Sequence, residues 1–398
     1  MSAKQDSPRA PQPDAPSGDM HEPSAPAESL LDWLRLVHTP GLGARRTQQL
    51  LDAFGTPAAA LAAPEREWRQ ATGMTALDRD VQEARETGIR NDLEWREQDP
   101  RHHILCRDDA DYPPLLAELP DPPPVLYLNG QRDLLRAPQI AVIGSRECTP
   151  QGQRLAREFA RELAGAGLAI TSGLARGIDG AAHEGALAAP QGRTIAVVAT
   201  GPDRIYPGEH RRLAHRIADH GLVVSLWPVG TRPLARNFPQ RNRVISGLSL
   251  GTLVIEAALE SGSLITARLA AEQGRQVYAV PGSVLSPVSR GCHRLIREGA
   301  HLVEGPDEIL EDLANWLGIE QRDAAPAPAP PREPLDPEQE RVLTAMGYDP
   351  VPLETLRERT KLTIETLSSM LVLLELNGRV AALDHGRYQR LDAGSPES

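Results

Sequence analysis

Ile140-Ala141-Val142-Ile143-Gly144-Ser145-Arg146 is an apolar run that closes on a glycine turn, and helical periodicity over Gly152 to Ala166 follows it. The pattern repeats at once. Leu168-Ala169-Ile170-Thr171 leads into Ser172-Gly173-Leu174-Ala175-Arg176-Gly177-Ile178-Asp179 and a helix through Leu187. Further strand-like runs stand at Thr194 to Ala199, Leu222 to Leu226, Thr252 to Glu256 and Val277 to Val280, with helical stretches between them. Strands alternating with helices at this spacing predict an α/β fold with a doubly wound parallel sheet, whose ligands bind outside the carboxyl ends of the strands.

The first turn lacks the G-x-G-x-x-G fingerprint, and no acidic residue closes the second strand, which argues against a dinucleotide-dependent dehydrogenase. What the two turns offer is backbone N–H groups at helix N-termini beside Arg146 and Arg176, a cradle suited to phosphate. A second basic feature lies downstream, where Arg232, Arg236, Arg241 and Arg243 fall within twelve residues with no Asp or Glu among them. Phe238 and Asn242 are interleaved with these arginines. Arginine beside an aromatic is the pairing that nucleic-acid sites use, with phosphate on one and a base on the other. The plainer alternative is a helix N-terminus whose arginines are simply hydrated.

Charge is distributed to match. The chain of 398 residues carries a formal net charge of −11, which alone argues against binding a phosphate backbone. Between Arg136 and Gly305, however, 20 Arg and no Lys stand against 13 Asp plus Glu, a balance of +7 that leaves −18 for the rest. A basic middle sits between acidic ends. Lys4 and Lys361 are the only lysines, which excludes a Walker lysine or a Schiff-base lysine in the middle of the chain. Cys106, Cys148 and Cys292 are far apart and no His cluster has metal-ligand spacing, so no disulfide framework, metal site or cofactor is expected. With no apolar run of membrane-spanning length and no signal-like start, a reduced, cytoplasmic protein is expected.

Outward from the middle, the expected organisation is as follows. Residues 1–27 are rich in Pro, Ala, Ser and Asp and read as a disordered tail. Residues 28–100 read as a helical module in which His38-Thr39-Pro40-Gly41-Leu42-Gly43-Ala44-Arg45-Arg46 makes a helix-hairpin-helix-like turn, or merely a glycine turn within a packing module. The core spans 101–318 and opens on a proline-rich lead-in from Asp111 to Gly130 that ends in a short strand. Residues 319–334 form an Ala/Pro linker, 335–392 a winged-helix-like domain, and 393–398 a tail. Within the winged domain three helices are expected at Pro337 to Met346, Leu353 to Arg359 and Ile364 to Leu376, with a β-wing over Arg379 to Leu391. The last helix holds Glu365 and Glu375 and no basic residue, which favours protein contact over major-groove reading.

Two catalytic alternatives are visible. Asp179 and His183 stand one helical turn apart, yet no serine or cysteine with elbow geometry accompanies them, so a structural histidine is the simpler reading. Gly251-Thr252 with Glu256 echoes part of the Gly-Gly-x-Gly-Thr-x-x-Glu turn of nucleoside-monophosphate phosphoribohydrolases. That is the rival reading, a nucleotide-processing enzyme or nucleotide sensor. In Glu260-Ser261-Gly262-Ser263-Leu264-Ile265-Thr266, Ser263 and Thr266 read first as helix caps and second as ligands.

Taken together, the ordered motifs resemble the DNA-processing protein A family, also called DprA or Smf. They are Tyr112-Pro113, Asp121-Pro122-Pro123, Gly144-Ser145-Arg146, Ser172 through Asp179 with Ala182-His183, Tyr206-Pro207, Phe238-Pro239-x-Arg241-Asn242-Arg243, Ser261-Gly262-Ser263-x-x-Thr266, Gly274-Arg275, Val280-Pro281-Gly282, and Leu295-Ile296 with Gly299-Ala300. The resemblance implies an extended Rossmann core with an N-terminal helical module, of SAM or helix-hairpin-helix type, and a winged-helix-like C-terminal domain. It further implies a non-enzymatic homodimer that binds single-stranded DNA and loads RecA onto it past single-strand-binding protein in natural transformation. Carried onto this chain, the DNA pocket falls on Arg146, Arg176, Phe238, Arg241 and Arg243. Gly144, Ser145, Ser172, Gly173, Gly177, Arg236, Asn242, Ser263 and Thr266 complete the expected contact set. The dimer contact falls between Cys292 and Leu302, on His293, Leu295, Ile296 and Leu302. Leu226 stands where the family usually has glutamate, and a lysine common near the pocket is absent, with Arg236 as the cation nearest to replacing it.

Overall fold

The computed structural model describes residues 27–74, 82–317 and 335–391. The expected tails at 1–27 and 393–398 and the linker at 319–334 fall outside these residues, save Ala27, which opens the first helix. The N-terminal helices are α1 (Ala27–Val37), α2 (Ala44–Phe54), α3 (Pro57–Ala62), α4 (Glu65–Thr72) and α5 (Gln82–Gln98). The middle of the chain then runs β1 (His102–Cys106), α6 (Pro114–Ala117), β2 (Val125–Gly130), β3 (Gln139–Ile143), α7 (Pro150–Gly165), β4 (Ala169–Ser172), α8 (Ile178–Ala188) and β5 (Arg193–Val198). It continues through α9 (Arg211–His220), β6 (Leu222–Ser225), α10 (Asn237–Leu248), β7 (Gly251–Val254), α11 (Gly262–Glu272), β8 (Gln276–Ala279), α12 (Arg290–Arg297), β9 (His301–Leu302) and α13 (Pro306–Leu317). The C-terminal elements are α14 (Pro337–Met346), β10 (Val351–Pro352), α15 (Leu353–Thr360), α16 (Ile364–Leu376), β11 (Val380–Leu383) and β12 (Arg387–Arg390).

One nine-stranded sheet has the order β1-β2-β6-β5-β4-β3-β7-β8-β9. The seven strands from β6 to β9 in that order run parallel, while β1 and β2 pair antiparallel with each other and β2 antiparallel with β6. The expected doubly wound parallel sheet is thus present, extended at one edge by two antiparallel strands. His102–Cys106 was not anticipated as a strand, because two histidines dilute its apolar signal; it gains its place by pairing with Val125–Gly130 across the proline-rich turn.

Strand β3 shows why its sequence is apolar throughout. Ile140 and Val142 pack with Ala156, Phe159, Leu163 and Ile178 on one face, while Ala141 and Ile143 pack with Val244, Ile245 and Leu264 on the other. Both faces are covered, so alternation disappears. The chain passes from β3 to β4, β5 and β6 on one side and to β7, β8 and β9 on the other. The carboxyl ends of β3 and β7 are thus the topological switch point, where open α/β sheets form a crevice.

The helical module packs on the antiparallel edge, with Trp33, Leu34, Leu50, Trp68 and Trp95 clustering against Val125 and Tyr127. Asp92, fully buried, pins it. Its carboxylate accepts from Tyr127 Oη at 2.6 Å and from the Val229 amide at 3.0 Å, and lies 2.7 Å from His38 Nε2. The C-terminal elements form the expected winged helix, with a β10-β12-β11 sheet and a core of Val342, Leu343, Leu356, Leu367, Leu371 and Leu374. Gln389 on β12 donates through Nε2 to Gln151 Oε1 at the start of α7, at 3.0 Å.

Candidate nucleic-acid interface

A cavity of about 470 Å³ opens at the switch point, lined by Gly144, Ser145 and Arg146 after β3, Ala175 and Asp179 after β4, Arg241 and Asn242 on α10, and Ser261, Gly262, Ser263 and Thr266 at the start of α11. Its size is that of an ordinary small-ligand site. Close approach of backbones sets its shape. A Cβ on Gly144 would lie 2.5 Å from Ile178 Cγ1, and one on Gly177, which has φ +75°, would lie 2.3 Å from the Ser145 carbonyl oxygen. The Ser145 amide donates to the Glu256 carbonyl at 2.7 Å, and Ser263 Oγ donates to the Gly144 carbonyl at 2.7 Å. The β3 turn is thereby tied to both the β7 end and α11.

Arg241 is the buried charge of the site, only 4% exposed. Asn237, one turn earlier on α10, fixes the helix by donating to the Ala199 carbonyl at 3.0 Å. From there Arg241 reaches Asp179, its Nη1 lying 3.8 Å from the carboxylate, and its Nε has no acceptor. Asp179 accepts the amides of Gly173 at 3.1 Å and Ala175 at 3.3 Å. Gly173 has to be glycine, since a Cβ there would sit 1.2 Å from Arg241 Nη1. Burial pushes the Asp179 carboxyl up, opposed by the Arg241 charge, and burial pulls Arg241 down, opposed by Asp179.

Phe238 lies at the rim. The guanidinium carbons of Arg146 and Arg241 stand 5.6 Å and 5.8 Å from its ring centroid, and the Tyr206 ring packs edge-to-face with it at a centroid separation of 5.9 Å. Arg146 is exposed. The arrangement is a half-buried aromatic between one fixed and one free guanidinium, with helix N-terminal amides of α11 across the cavity. An anionic, planar-bearing ligand fits it.

Not every expected contact residue converges here. Gly144, Ser145, Arg146, Arg241, Asn242, Ser263 and Thr266 line the cavity; Gly173 and Gly177 shape it through backbone. Arg243 turns to the side of α10 away from it and pairs with Asp121. The apparent run of unneutralised arginines is thus corrected for two of its members, whose counter-charges come from distant sequence. Ser172 is fully buried and donates to the Val142 carbonyl at 2.6 Å, a strand-to-strand tie. Arg176 is exposed and pairs with Glu209 at 2.5 Å, and Arg236 is exposed at the N-cap of α10. Asp179, Glu147, Glu260 and Ser261 also line the cavity and were not among the expected contacts; only the pairing of Asp179 with Arg241 explains a carboxylate in an anion site.

The residues behind the two catalytic alternatives, His183 and Glu256, are engaged in structural contacts. His183 is fully buried with Nδ1 at 2.7 Å from Thr194 Oγ1, and burial holds it down at about 3, so it is a neutral packing residue. Glu256 accepts the Thr149 amide at 2.8 Å and hydroxyl at 2.6 Å, which makes it the anchor of the α7 N-terminus rather than a cavity-lining group. Among the described residues no group of His, Cys, Asp and Glu is arranged to hold a metal, and no helix is long and apolar enough to cross a membrane.

The expected dimer segment is mixed. Leu295 is 5% exposed and packs in the core with Cys292 and Ala267, so it is corrected to an internal packing residue. Ile296 is half-buried, and His293 Nε2 lies 2.9 Å from the Gly282 carbonyl. Leu302, 46% exposed, stands on the edge strand β9.

Comparison with known proteins covers both the core and the winged helix. Residues 103–314 match the sequence model of the family described as DNA recombination-mediator protein A, and residues 326–386 match the DprA winged helix domain. Protein Smf of Escherichia coli strain K12 is 44% identical over 314 residues, 76% of this chain and 81% of that protein. DNA processing protein DprA of Streptococcus pneumoniae strain R6 is 47% identical over 214 residues, 54% of this chain and 74% of that protein. The X-ray structure of DNA processing protein A from Streptococcus pneumoniae superposes with a TM-score of 0.61 at 37% identity, covering 71% of this chain and 96% of that one.

Proposed function

The chain belongs to the DNA recombination-mediator protein A family, and from that premise we propose that its cavity binds single-stranded DNA so that RecA can be loaded onto the strand. The observation that carries the reading is Arg241, a nearly fully buried guanidinium with a spare Nε, held by Asp179 at the wall of a cavity whose mouth bears Arg146 and Phe238. Because Asp179 offsets Arg241, and Glu147 and Glu260 also line the cavity, the groups left there to attract phosphate are Arg146 and the α11 N-terminus. A base stacks at Phe238 while phosphate takes the guanidinia, which makes binding tolerant of sequence and sensitive to salt.

The protein acts as a homodimer through the face around Ile296 and Leu302, presenting two cavities to one strand, and linking them raises affinity without new contacts. The winged helix, with no basic residue on α16, serves partner contact rather than duplex reading. Its biological setting is protection of incoming DNA and RecA loading past single-strand-binding protein in natural transformation, in the cytoplasm. The experiment is RecA-dependent ATP hydrolysis on a strand coated with single-strand-binding protein. Addition of this protein shortens the lag, and Arg146→Ala lengthens it again; a lag unchanged by the protein would overturn the mediator role. AMP added as competitor leaves the effect intact, whereas competition by AMP at micromolar levels would favour a nucleotide sensor.

A further inference from the structure

Helix α9 buries Leu213, Ala214, Ile217 and Ala218 against the sheet and turns Arg211, Arg212, His215, Arg216, Asp219 and His220 outward. Among the described residues, Arg211, Arg212 and Arg216 form no ion pair. The carboxylates nearest to them in sequence are each engaged by another arginine: Asp203 by Arg204 at 3.5 Å, Glu209 by Arg176 at 2.5 Å, and Asp219 by Arg101 at 2.6 Å. Three uncompensated guanidinia on one helical face, in a chain of net charge −11, make a local field of the opposite sign to the whole.

The helix also starts in the right place. His210, directly before Arg211, has Nδ1 3.0 Å from the carbonyl of Leu174, in the β4 turn that carries Arg176 and borders the cavity. From that end α9 runs back along the sheet for about 15 Å, a few nucleotides of a single strand. Besides the three arginines and Asp219, its exposed face carries only the imidazoles of His215 and His220, with no amide side chain, so contact with phosphate outweighs reading of bases.

We propose that the exposed face of α9 is a second contact for single-stranded DNA, a track of phosphate contacts through Arg211, Arg212 and Arg216 that takes up the strand as it leaves the cavity past Arg176. The inference rests on the cavity being the primary DNA site. It predicts a length dependence that the cavity alone does not give.

The test is fluorescence anisotropy of the full chain with labelled oligo-dT strands of about 4 and about 20 nucleotides, spanning the site sizes of single-strand binders. The variant is Arg211→Ala/Arg212→Ala/Arg216→Ala, in which no partnered group is removed; its thermal melt is expected to match wild type. The short strand binds the variant as it binds wild type. The long strand binds it at least tenfold more weakly at low salt, and the slope of log affinity against log salt falls by about 2, from roughly 0.7 per phosphate contact over three contacts. Replacement of the same three by lysine restores the slope. Wild-type affinity and slope for the long strand in the alanine variant would overturn the track, as would equal weakening of both lengths. If Arg146→Ala weakens both lengths while the triple variant weakens neither, the cavity stands and the track fails; if wild type binds neither strand, the cavity reading itself fails.

Discussion

The guanidinium of Arg241 faces the carboxylate of Asp179 across 3.8 Å, and both side chains are more than nine-tenths buried. The pair joins the β4 turn to α10 and holds a positive group at the wall of the cavity. Buried pairs are costly to break from one side, because the remaining charge loses its partner without regaining water. Arg241→Met is therefore expected to destabilise the fold by about 3–5 kcal/mol, read as a shift of the urea midpoint. The double variant Arg241→Met/Asp179→Asn recovers much of that loss yet still fails to bind DNA. Recovery of binding together with stability would remove Arg241 from the site.

Phe238 and Arg146 sit side by side but contribute differently. Phe238→Leu keeps apolar bulk and loses the flat face, which costs about 1–3 kcal/mol of strand affinity with little change in salt slope. Arg146→Ala lowers the salt slope by about 0.7, one phosphate contact on a single strand. Anisotropy titrations at several salt concentrations separate the two. Equal slope changes in both variants would contradict the division of labour.

Glu256 gives a pH-dependent stability of defined sign. Burial pushes its carboxyl above the usual value of 4.5, against the Thr149 hydrogen bonds. The folded state therefore holds a proton more readily than the unfolded one, and stability falls as pH rises from 4.5 through the elevated folded value. In urea melts at a series of pH values, Glu256→Gln keeps an acceptor for Thr149 and removes this fall. The stability of the variant relative to wild type thus increases across that window. A relative stability independent of pH would show that Glu256 is not strained by burial.

Leu302 and Leu295 were grouped by sequence and are separated by burial. Leu302→Glu is expected to yield a folded monomer in analytical ultracentrifugation, since the side chain is half-exposed on an edge strand. Leu295→Glu places a charge in the core and is expected to unfold the protein. A dimeric Leu302→Glu protein would move the interface elsewhere.

The sequence carried the sheet wherever strands are covered on both faces, as in Ile140–Ile143, because burial leaves an uninterrupted apolar run. It missed His102–Cys106, whose pairing depends on a partner some twenty residues away rather than on its own pattern. At the site, the glycine turns and Arg146, Phe238 and Arg241 were legible as residue types suited to phosphate and base. Which arginines stay unpaired was not, since Asp179 and Asp121 reach α10 from far along the chain. The exposed arginines of α9 were hidden for a similar reason: Glu209 and Asp219 dilute the run in sequence, and only the fold shows both carboxylates turned to other partners.

The most direct test of the account is the affinity of the full chain for a labelled oligo-dT strand against rising salt, for wild type and Arg146→Ala, with AMP as competitor. The account predicts a steep salt dependence in wild type, a shallower one in the variant, and no displacement by AMP. Weak, salt-insensitive strand binding, with AMP bound tightly or consumed, would contradict it.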